Sequence, residues 1–399
     1  MSNTPKIQIE HLYKIFEKKP NTVDELPKDL VSKKETATQI GQVVALQDIN
    51  FDVKEGEIFA ITGPTDSGKS TLLRCISRLQ EITHGSILIN NVDITQLSQD
   101  KIRQFRQTTF GMVFQHVSLF PHRSVFENVI FGLEVQGVPK KERVEKGQHV
   151  IDMVGLNQWS NRLTGELSGD IQQRVGLARA LAVNPEVLLM DEPFSALDPL
   201  TRNGLQDEFL KLHSKIGKTV LFATDDLNEA VRIADRIGII NSEGELIQVG
   251  SPEEILLDPA DEYIERFLND IDRPSVIRVE SLMQQPRHVI QENKTPASAL
   301  AKMNETKTDY VFVITSGKGF RGIVTRERAV SVTDPSSTLA DITRASDITH
   351  TNRTIKEVLP HVLEGGRPIA VLDDEEQFVG EVSRSEIAAV LKKQQRSSV

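Results

Sequence analysis

The chain has 399 residues, 38% hydrophobic and 26% charged, which is enough for about two or three domains with cores of their own. A formal net charge of −10 argues against nonspecific binding to nucleic acid. No run approaches the roughly 18 to 20 apolar residues that cross a bilayer, and the first residues lack the apolar core of a signal peptide. We therefore expect a cytosolic protein.

Short apolar runs alternate with amphipathic stretches up to about residue 270, a pattern typical of an α/β domain. The runs EIFAI and EVLLM predict buried strands, and the segments after Lys69 and Ser168 predict helices. A polar, charge-rich segment at residues 17–42 interrupts the early strand pattern. It is a solvated surface insertion in the simpler interpretation and a partner site in the alternative. Cys75, the single cysteine, lies in an apolar helical segment and predicts a buried structural thiol.

A phosphate-binding loop follows the strand EIFAI. Gly63, Gly68, Lys69 and Ser70 fit the pattern G-x-x-x-x-G-K-[ST], between a predicted strand and a predicted helix. The N–H groups of such a loop and the helix N-terminus attract phosphate, Lys69 can reach the outer phosphates, and Ser70 can ligate Mg²⁺. The loop therefore predicts a nucleotide site.

Two acids end the strand EVLLM much later in the chain. Asp191 suits contact with Mg²⁺, directly or through water, and Glu192 could polarise an attacking water. In isolation such a pair is more often an ordinary exposed strand end. Downstream of a phosphate loop, the catalytic interpretation is favoured.

The segment LSGDIQQRVGLARAL lies between the loop and the two acids, and SALD follows them. This ordered set resembles the ATP-binding-cassette (ABC) ATPases over residues 7 to about 270. The resemblance implies a head-to-tail pair of nucleotide domains, with each LSG segment closing over the ATP held by the opposite loop. The ATP contacts it implies, besides the loop residues above, are Phe16 on adenine, Thr71, Gln115 near Mg²⁺ and water, Ser168, Gly169, and Asp198 at the dimer contact. Tyr13 lies close to Phe16, and either ring could instead be plain core.

The sequence also indicates a subgroup of the ABC ATPases. The segments LFPHRSVFENVIFGLEVQGVPKKER and QQRVGLARALAVNPEVLLMDEPFSALDPL, together with the early insertion, resemble the quaternary-amine (glycine betaine/proline) uptake subgroup. Such importers pair two ATPase subunits with separate membrane permease subunits and a substrate-binding protein. This implies a peripheral position at the cytoplasmic face of the membrane. Soluble ABC proteins of repair or translation carry two cassettes or long coiled coils, which this sequence lacks.

An internal repeat occupies the last 120 or so residues. Residues 311–330 and 369–388 superpose at a constant offset of 58, which brings Phe320 and Gly322 into register with Phe378 and Gly380. A helical stretch precedes each copy, so the repeat predicts two αβ units packed as a pair. The copies resemble cystathionine-β-synthase (CBS) domains. The predicted organisation is a nucleotide-binding domain at 1–270 and α+β CBS repeats at 275–332 and 333–395.

The repeats leave two interpretations of ligand binding open. CBS pairs often bind adenosine-type ligands, with an acid six residues after the glycine holding the ribose. The first copy has Arg328 at that position and the second has Glu386. A packing and dimerisation module is one interpretation. A regulatory site, including one for cyclic di-AMP at a dimer interface, is the other.

Three positions depart from the family pattern in one direction. Asp66 replaces a glycine of the phosphate loop, Asp170 replaces the second glycine of LSGG, and Asp225 stands at the position of the switch histidine. A unit charge pair at 4 Å is worth about 4 kcal/mol at an effective dielectric of 20, enough to slow hydrolysis roughly a thousandfold. Each substitution also has a harmless interpretation: an outward carboxylate, screening by Mg²⁺, or an altered role for Asp226.

The leading hypothesis is thus the ATPase subunit of a quaternary-amine importer, which uses ATP binding and hydrolysis to drive transport. The three aspartates further predict slow hydrolysis while ATP binding survives. The alternative is a catalytically weak nucleotide-binding regulator that senses a ligand through its CBS pair. In both hypotheses ATP and Mg²⁺ are the expected ligands.

Overall fold

The computed structural model describes residues 5–17, 42–115, 117–195, 197–268, 271–334, 336–364 and 367–396. The insertion predicted at 17–42 lies outside them except for its two end residues. The described residues form two compact units, one ending at Ile255 and the other beginning at Leu256. This division precedes the predicted boundary because residues up to Arg273 pack into the second unit, where the buried Arg273 guanidinium donates to the Leu256 carbonyl at 2.8 Å.

Among its described residues, the first unit contains two sheets. Their strands are β1 (Pro5–Glu17), β2 (Gln42–Lys54), β3 (Ile58–Thr62), β4 (His84–Ile89), β5 (Val92–Asp93), β6 (Phe110–Val113), β7 (Val187–Asp191), β8 (Thr219–Thr224), β9 (Arg236–Ile240) and β10 (Leu246–Gly250). An antiparallel sheet has the order β2-β1-β4-β5, and a six-stranded sheet has the order β10-β9-β3-β8-β7-β6. In the larger sheet only β10 runs antiparallel to its neighbour.

The helices of the first unit are α1 (Lys69–Ile76), α2 (Gln99–Thr109), α3 (Val125–Val129), α4 (Phe131–Val135), α5 (Lys140–Met153), α6 (Gly169–Ala182), α7 (Pro199–Ile216), α8 (Leu227–Ile233) and α9 (Pro252–Leu257), which continues into the second unit. The buried strands β3 and β7 and the helices α1 and α6 confirm the α/β prediction. One apolar core joins the two sheets through α1, which contributes Leu72, Leu73, Cys75 and Ile76. Burial raises the pKa of the Cys75 thiol to about 11, as expected of a structural cysteine.

The second unit repeats one arrangement twice. Its elements are α10 (Glu262–Phe267), α11 (Arg273–Val276), β11 (Val289–Gln291), α12 (Pro296–Thr306), β12 (Tyr310–Ile314), β13 (Phe320–Thr325), α13 (Arg326–Val330), α14 (Leu339–Ile342), β14 (Ile348–His350), α15 (Ile355–Glu364), β15 (Ile369–Leu372), β16 (Phe378–Val382) and α16 (Arg384–Arg396). In each copy the first strand pairs parallel with the second, and the second pairs antiparallel with the third.

The two copies interlock as a pair. Gln284, which lies before β11 in the first copy, bridges to Glu381 of the second, while Arg344, which lies before β14 in the second copy, bridges to Ile323 of the first. Phe320 and Phe378, in register in the sequence, lie 5.4 Å apart at their ring centroids. The prediction of a packed pair is therefore confirmed.

The repeat-related glycines give a matched stability test. Gly322 has φ +143°, and a Cβ on it would lie 2.0 Å from the Arg344 carbonyl oxygen. Gly380 lacks the positive φ, and its nearest contact is the flexible Met283 sulfur at 2.8 Å. Since strained dihedrals and overpacking each cost 1–3 kcal/mol, we expect Gly322→Ala to destabilise the second unit by roughly 3 kcal/mol and Gly380→Ala by about 1 kcal/mol.

The free energy of unfolding of both variants is measured by urea unfolding of the full chain, with a spectroscopic probe placed in the second unit. Equal losses of unfolding free energy would contradict the crowding at Gly322.

In the described part of the chain, no helix is long and apolar enough to cross a membrane.

Candidate nucleotide site

The site lies at the edge of the larger sheet that is formed by the carboxyl ends of its parallel strands. Strands β3, β8 and β7 are parallel neighbours, with Thr62 opposite Thr224 and Ala223 opposite Asp191. Because parallel strands end at a common edge, the segments that follow these three strands meet there. The phosphate loop, Glu192 and Asp225 are brought together in this way.

The phosphate loop has the backbone shape that its glycines predict. Gly63 and Gly68 have φ of +152° and +101°, and a Cβ would lie 2.1 Å from the Ile240 carbonyl oxygen at the first and 2.5 Å from the Ala45 carbonyl oxygen at the second. Asp66 takes a left-handed φ of +65° with its side chain exposed. Aspartate tolerates this region better than most residues, so the loop keeps its turn at this position.

Lys69 is buried and faces into the loop. Its ammonium donates to the carbonyl oxygens of Gly63 and Pro64 at 2.9 and 2.7 Å and contacts the Ser67 hydroxyl at 3.3 Å. It also forms an ion pair of 2.5 Å with Oδ1 of Asp225. The cation predicted to face a phosphate therefore has a carboxylate of its own chain as a partner.

Asp225 contacts the loop with both oxygens. While Oδ1 pairs with Lys69, Oδ2 accepts a hydrogen bond of 2.9 Å from the hydroxyl of Thr65. Thr65 was not singled out from the sequence. Nothing in the loop pattern marks that position, and its partner is 160 residues away.

Ser70 and Asp191 form an oxygen pair next to the loop. The Ser70 hydroxyl donates to Oδ1 of Asp191 at 2.8 Å, and Ser70 is the second residue of α1. Burial raises the pKa of the Asp191 carboxyl, although the hydrogen bond from Ser70 opposes the rise. Hydroxyl and carboxylate oxygens are the ligands that Mg²⁺ prefers.

Glu192 follows in a left-handed conformation, with φ +46°. Its Oε2 accepts a hydrogen bond of 2.5 Å from the Gln115 amide, so the two predicted water-handling residues are in direct contact. Burial raises the pKa of the Glu192 carboxyl, and the nearby charges of Asp225 and Asp191 raise it further. A carboxylate with a raised pKa is a better proton acceptor than an ordinary one.

Asp226 does not serve the phosphate loop. It caps α8 by accepting from the Asn228 N–H at 2.9 Å, and its other oxygen accepts from Arg202 at 3.1 Å. The interpretation in which Asp226 takes over a role of its neighbour has no support from these contacts. Arg202, which also lies 3.6 Å from buried Glu229, was missed by the sequence reasoning.

The LSG segment forms the start of α6, and its Gly169 lines one cavity together with Gln115. Ser168 occupies the position before the helix with an exposed side chain, Gly169 is exposed, and Asp170 stands in the first turn. A helix N-terminus attracts anions, and an acid in its first turn opposes that attraction while stabilising the helix. Asp170 therefore makes this helix end less favourable to phosphate.

Of the remaining predicted contacts, Asp198 and Phe16 are exposed. Asp198 is exposed and caps α7, accepting from the N–H groups of Leu200 and Thr201 at 3.2 Å. Phe16 is 38% exposed at the end of β1, with the Lys14 ammonium 4.8 Å from its ring centroid, so it is not core. Thr71 is partly buried in α1.

The residues at this edge suit Mg²⁺ and a phosphate chain in most respects. Gly63 and Gly68 leave a cradle that a Cβ would fill, and Ser70 with Asp191 offers hard oxygen ligands. The contact that does not suit a triphosphate is Asp225 on Lys69.

In the second unit, the acid predicted to hold a ribose has a structural partner. Glu386 accepts from the Ser383 N–H at 2.9 Å and from the Ser383 hydroxyl, at the start of α16. Burial raises the pKa of the Glu386 carboxyl, but these hydrogen bonds outweigh it and the pKa falls below its usual value. Arg328 donates its N–H to the Thr325 hydroxyl. Glu386 is thus used as a helix cap.

Comparisons with known proteins agree with this architecture. The family model "ABC transporter" matches residues 46–195, and the model "CBS domain" matches residues 279–333. The chain is 39% identical to the glycine betaine transport ATP-binding protein OpuAA of Bacillus subtilis, over 97% of this chain and 92% of that protein. It is 38% identical to the glycine betaine/proline betaine transport system ATP-binding protein ProV of Escherichia coli, over 97% of both chains.

Solved structures match roughly two thirds of the chain. The dimeric post-hydrolysis state of the ATP-binding cassette MJ0796, bound to ADP and phosphate, is 30% identical with a TM-score of 0.51, covering 62% of this chain and 98% of that one. CbiO1 from Clostridium perfringens, part of an ABC transporter complex, is 25% identical with a TM-score of 0.54, covering 66% and 94%.

Proposed function

The chain belongs to the ABC-transporter ATP-binding subunits of the quaternary-amine (glycine betaine/proline) uptake family, and we propose that it drives uptake of such an osmoprotectant through ATP binding and hydrolysis. The observation that carries this proposal is similarity along 97% of the chain, which includes the CBS pair as well as the cassette. A cassette alone would leave the transported class open.

The chain's own residues have distinct roles in the proposed reaction. Mg²⁺, when bound, would neutralise phosphate charge, and Ser70 and Asp191 supply the oxygens to hold it. Lys69 and the loop N–H groups bind phosphate. Glu192 accepts a proton from the attacking water, and Gln115 orients the Glu192 carboxylate through their hydrogen bond.

The proposed partners follow from the same family. The exposed Ser168, Gly169 and Asp198 fit a head-to-tail pairing with a second ATPase subunit, and the MJ0796 cassette is described as dimeric. Integral-membrane permease subunits would hold the pair at the cytoplasmic face of the membrane, and a substrate-binding protein would select the amine. The CBS pair could bind a ligand of the cyclic di-AMP type. Helix capping by Glu386 favours the other interpretation, in which the pair serves packing and dimerisation.

Impaired hydrolysis is the second part of the proposal. Asp225 replaces a hydrogen-bond donor with a carboxylate that pairs with Lys69, Asp170 opposes anion binding at α6, and Asp66 adds charge to the loop. A catalytically weak nucleotide-holding subunit is therefore the alternative function, and the Lys69–Asp225 ion pair is the observation that favours it.

Reconstitution in membrane vesicles tests the function. With its permease subunits and binding protein, the chain is expected to support uptake of labelled glycine betaine that depends on internal ATP. Lys69→Ala should abolish the uptake, because the loop loses its cation, whereas Lys54→Ala, at the end of β2, should not. Uptake that is unchanged in Lys69→Ala would contradict a motor role, and assembly with nucleotide bound but without uptake would favour the alternative.

A further inference from the structure

The ammonium of Lys69 is occupied by oxygens of its own chain. Two backbone carbonyls, the Ser67 hydroxyl and the Asp225 carboxylate all lie within 3.3 Å of it. The Lys69 side chain is only 5% exposed, whereas that of Asp225 is 38% exposed, so a buried ammonium meets a carboxylate that solvent can reach. The carboxylate is further fixed by the Thr65 hydroxyl.

The charge around this ion pair is negative. Asp191 and Glu192 lie at the same sheet edge as Asp225, and the Asp225 charge contributes to the raised pKa of both carboxyls. Lys69 acts on both of these carboxyls and Arg74 acts on Asp191, so two cations stand against three acids. A terminal phosphate that entered here would have to displace Asp225 from Lys69 and would then stand beside the displaced carboxylate.

The inner part of a phosphate chain meets different groups. Backbone N–H groups of the loop and the N-terminus of α1 are the general means by which such loops hold inner phosphates. The turns of the loop at Gly63 and Gly68 require positive φ and leave no room for a Cβ. The loop can therefore bind a diphosphate while Asp225 stays on Lys69, whereas a terminal phosphate would have to displace it.

We propose that Asp225 makes the site selective for a nucleoside diphosphate over a nucleoside triphosphate, by taking the place at Lys69 and Thr65 that the terminal phosphate would use. This inference rests on the proposed function in one respect, namely that the loop from Gly63 to Ser70 binds a nucleotide. It goes beyond slow hydrolysis, because it concerns which nucleotide the resting protein holds. In the proposed importer, this selectivity would slow the exchange of ADP for ATP at each turnover.

Calorimetric titration of the full chain tests the selectivity with Mg²⁺ present. The probes are ADP and the β,γ-imido analogue of ATP, which is not hydrolysed during the measurement. The wild-type protein is expected to bind ADP at least tenfold more tightly than the triphosphate. Asp225→Asn keeps the side-chain shape without the charge, and should tighten triphosphate binding at least tenfold while changing ADP affinity by less than about threefold.

Asp226→Asn is the matched control, because it removes one carboxylate charge at the next residue, whose contacts are Arg202 and the N-terminus of α8. It is expected to keep the wild-type ratio of affinities. Thermal unfolding of each variant shows whether it is folded. Equal affinities in the wild-type protein, or a ratio that Asp225→Asn leaves unchanged, would overturn the selectivity alone. Failure of both nucleotides to bind in every folded variant would overturn the proposed nucleotide site together with it.

Discussion

Replacing Asp225 with histidine is expected to raise steady-state phosphate release from Mg-ATP by a factor on the order of 10² to 10³, the usual worth of one positioned donor at a developing charge. The substitution frees Lys69 from its 2.5 Å ion pair and puts a hydrogen-bond donor where the carboxylate stood. Both changes favour the γ-phosphate when its charge develops in the transition state.

The measurement compares four proteins at saturating Mg-ATP: wild type, Asp225→His, Asp225→Asn and Asp226→Asn. We expect Asp225→Asn to recover part of the rate, since it removes the repulsion without supplying an imidazole, and Asp226→Asn to stay at the wild-type rate. Adding Asp66→Gly and Asp170→Gly to Asp225→His should increase the rate further. Rapid turnover by the wild-type protein, when assembled with its membrane partners, would show that the aspartates are accommodated and would refute the impairment.

Replacing Glu192 with glutamine is expected to reduce turnover by roughly 10² to 10⁴, the range for loss of a general base. The test is made in the Asp225→His protein, where the rate is large enough for such a loss to be measured. Glutamine can still accept the hydrogen bond from Gln115, so the local geometry is retained while the proton acceptor is lost. Nucleotide affinity should change little.

Glu186→Gln serves as the control, because Glu186 immediately precedes the opposite end of β7 and pairs with Lys6 at 2.6 Å. The pH profile gives a second readout. Since burial raises the pKa of Glu192 above its ordinary 4.5, the carboxyl stays protonated to a higher pH, and the acid limb of the turnover profile should lie above that value. Full activity in Glu192→Gln would assign proton acceptance to another group.

The sequence predicted most of the fold from local signals. The strand EIFAI, the glycines of the loop and the helix after Lys69 each have a pattern that identifies them within about ten residues. The internal repeat was also readable, because both copies carry phenylalanine and glycine at the same offset. The sequence did not predict that the two copies interlock through Gln284 and Arg344, since neither residue belongs to the repeat pattern.

The sequence by itself determined the residue types of the site and the unusual aspartates in it. It could not determine what those aspartates touch. Asp225 meets Lys69 and Thr65 because β8 lies between β3 and β7 in the sheet, and that strand order arises from long-range pairing. The adjacent Asp226 has the same chemistry, yet it contacts Arg202 and the start of α8. Successive residues at the end of a strand point in different directions, so only the tertiary structure decides which of two identical carboxylates faces the phosphate loop.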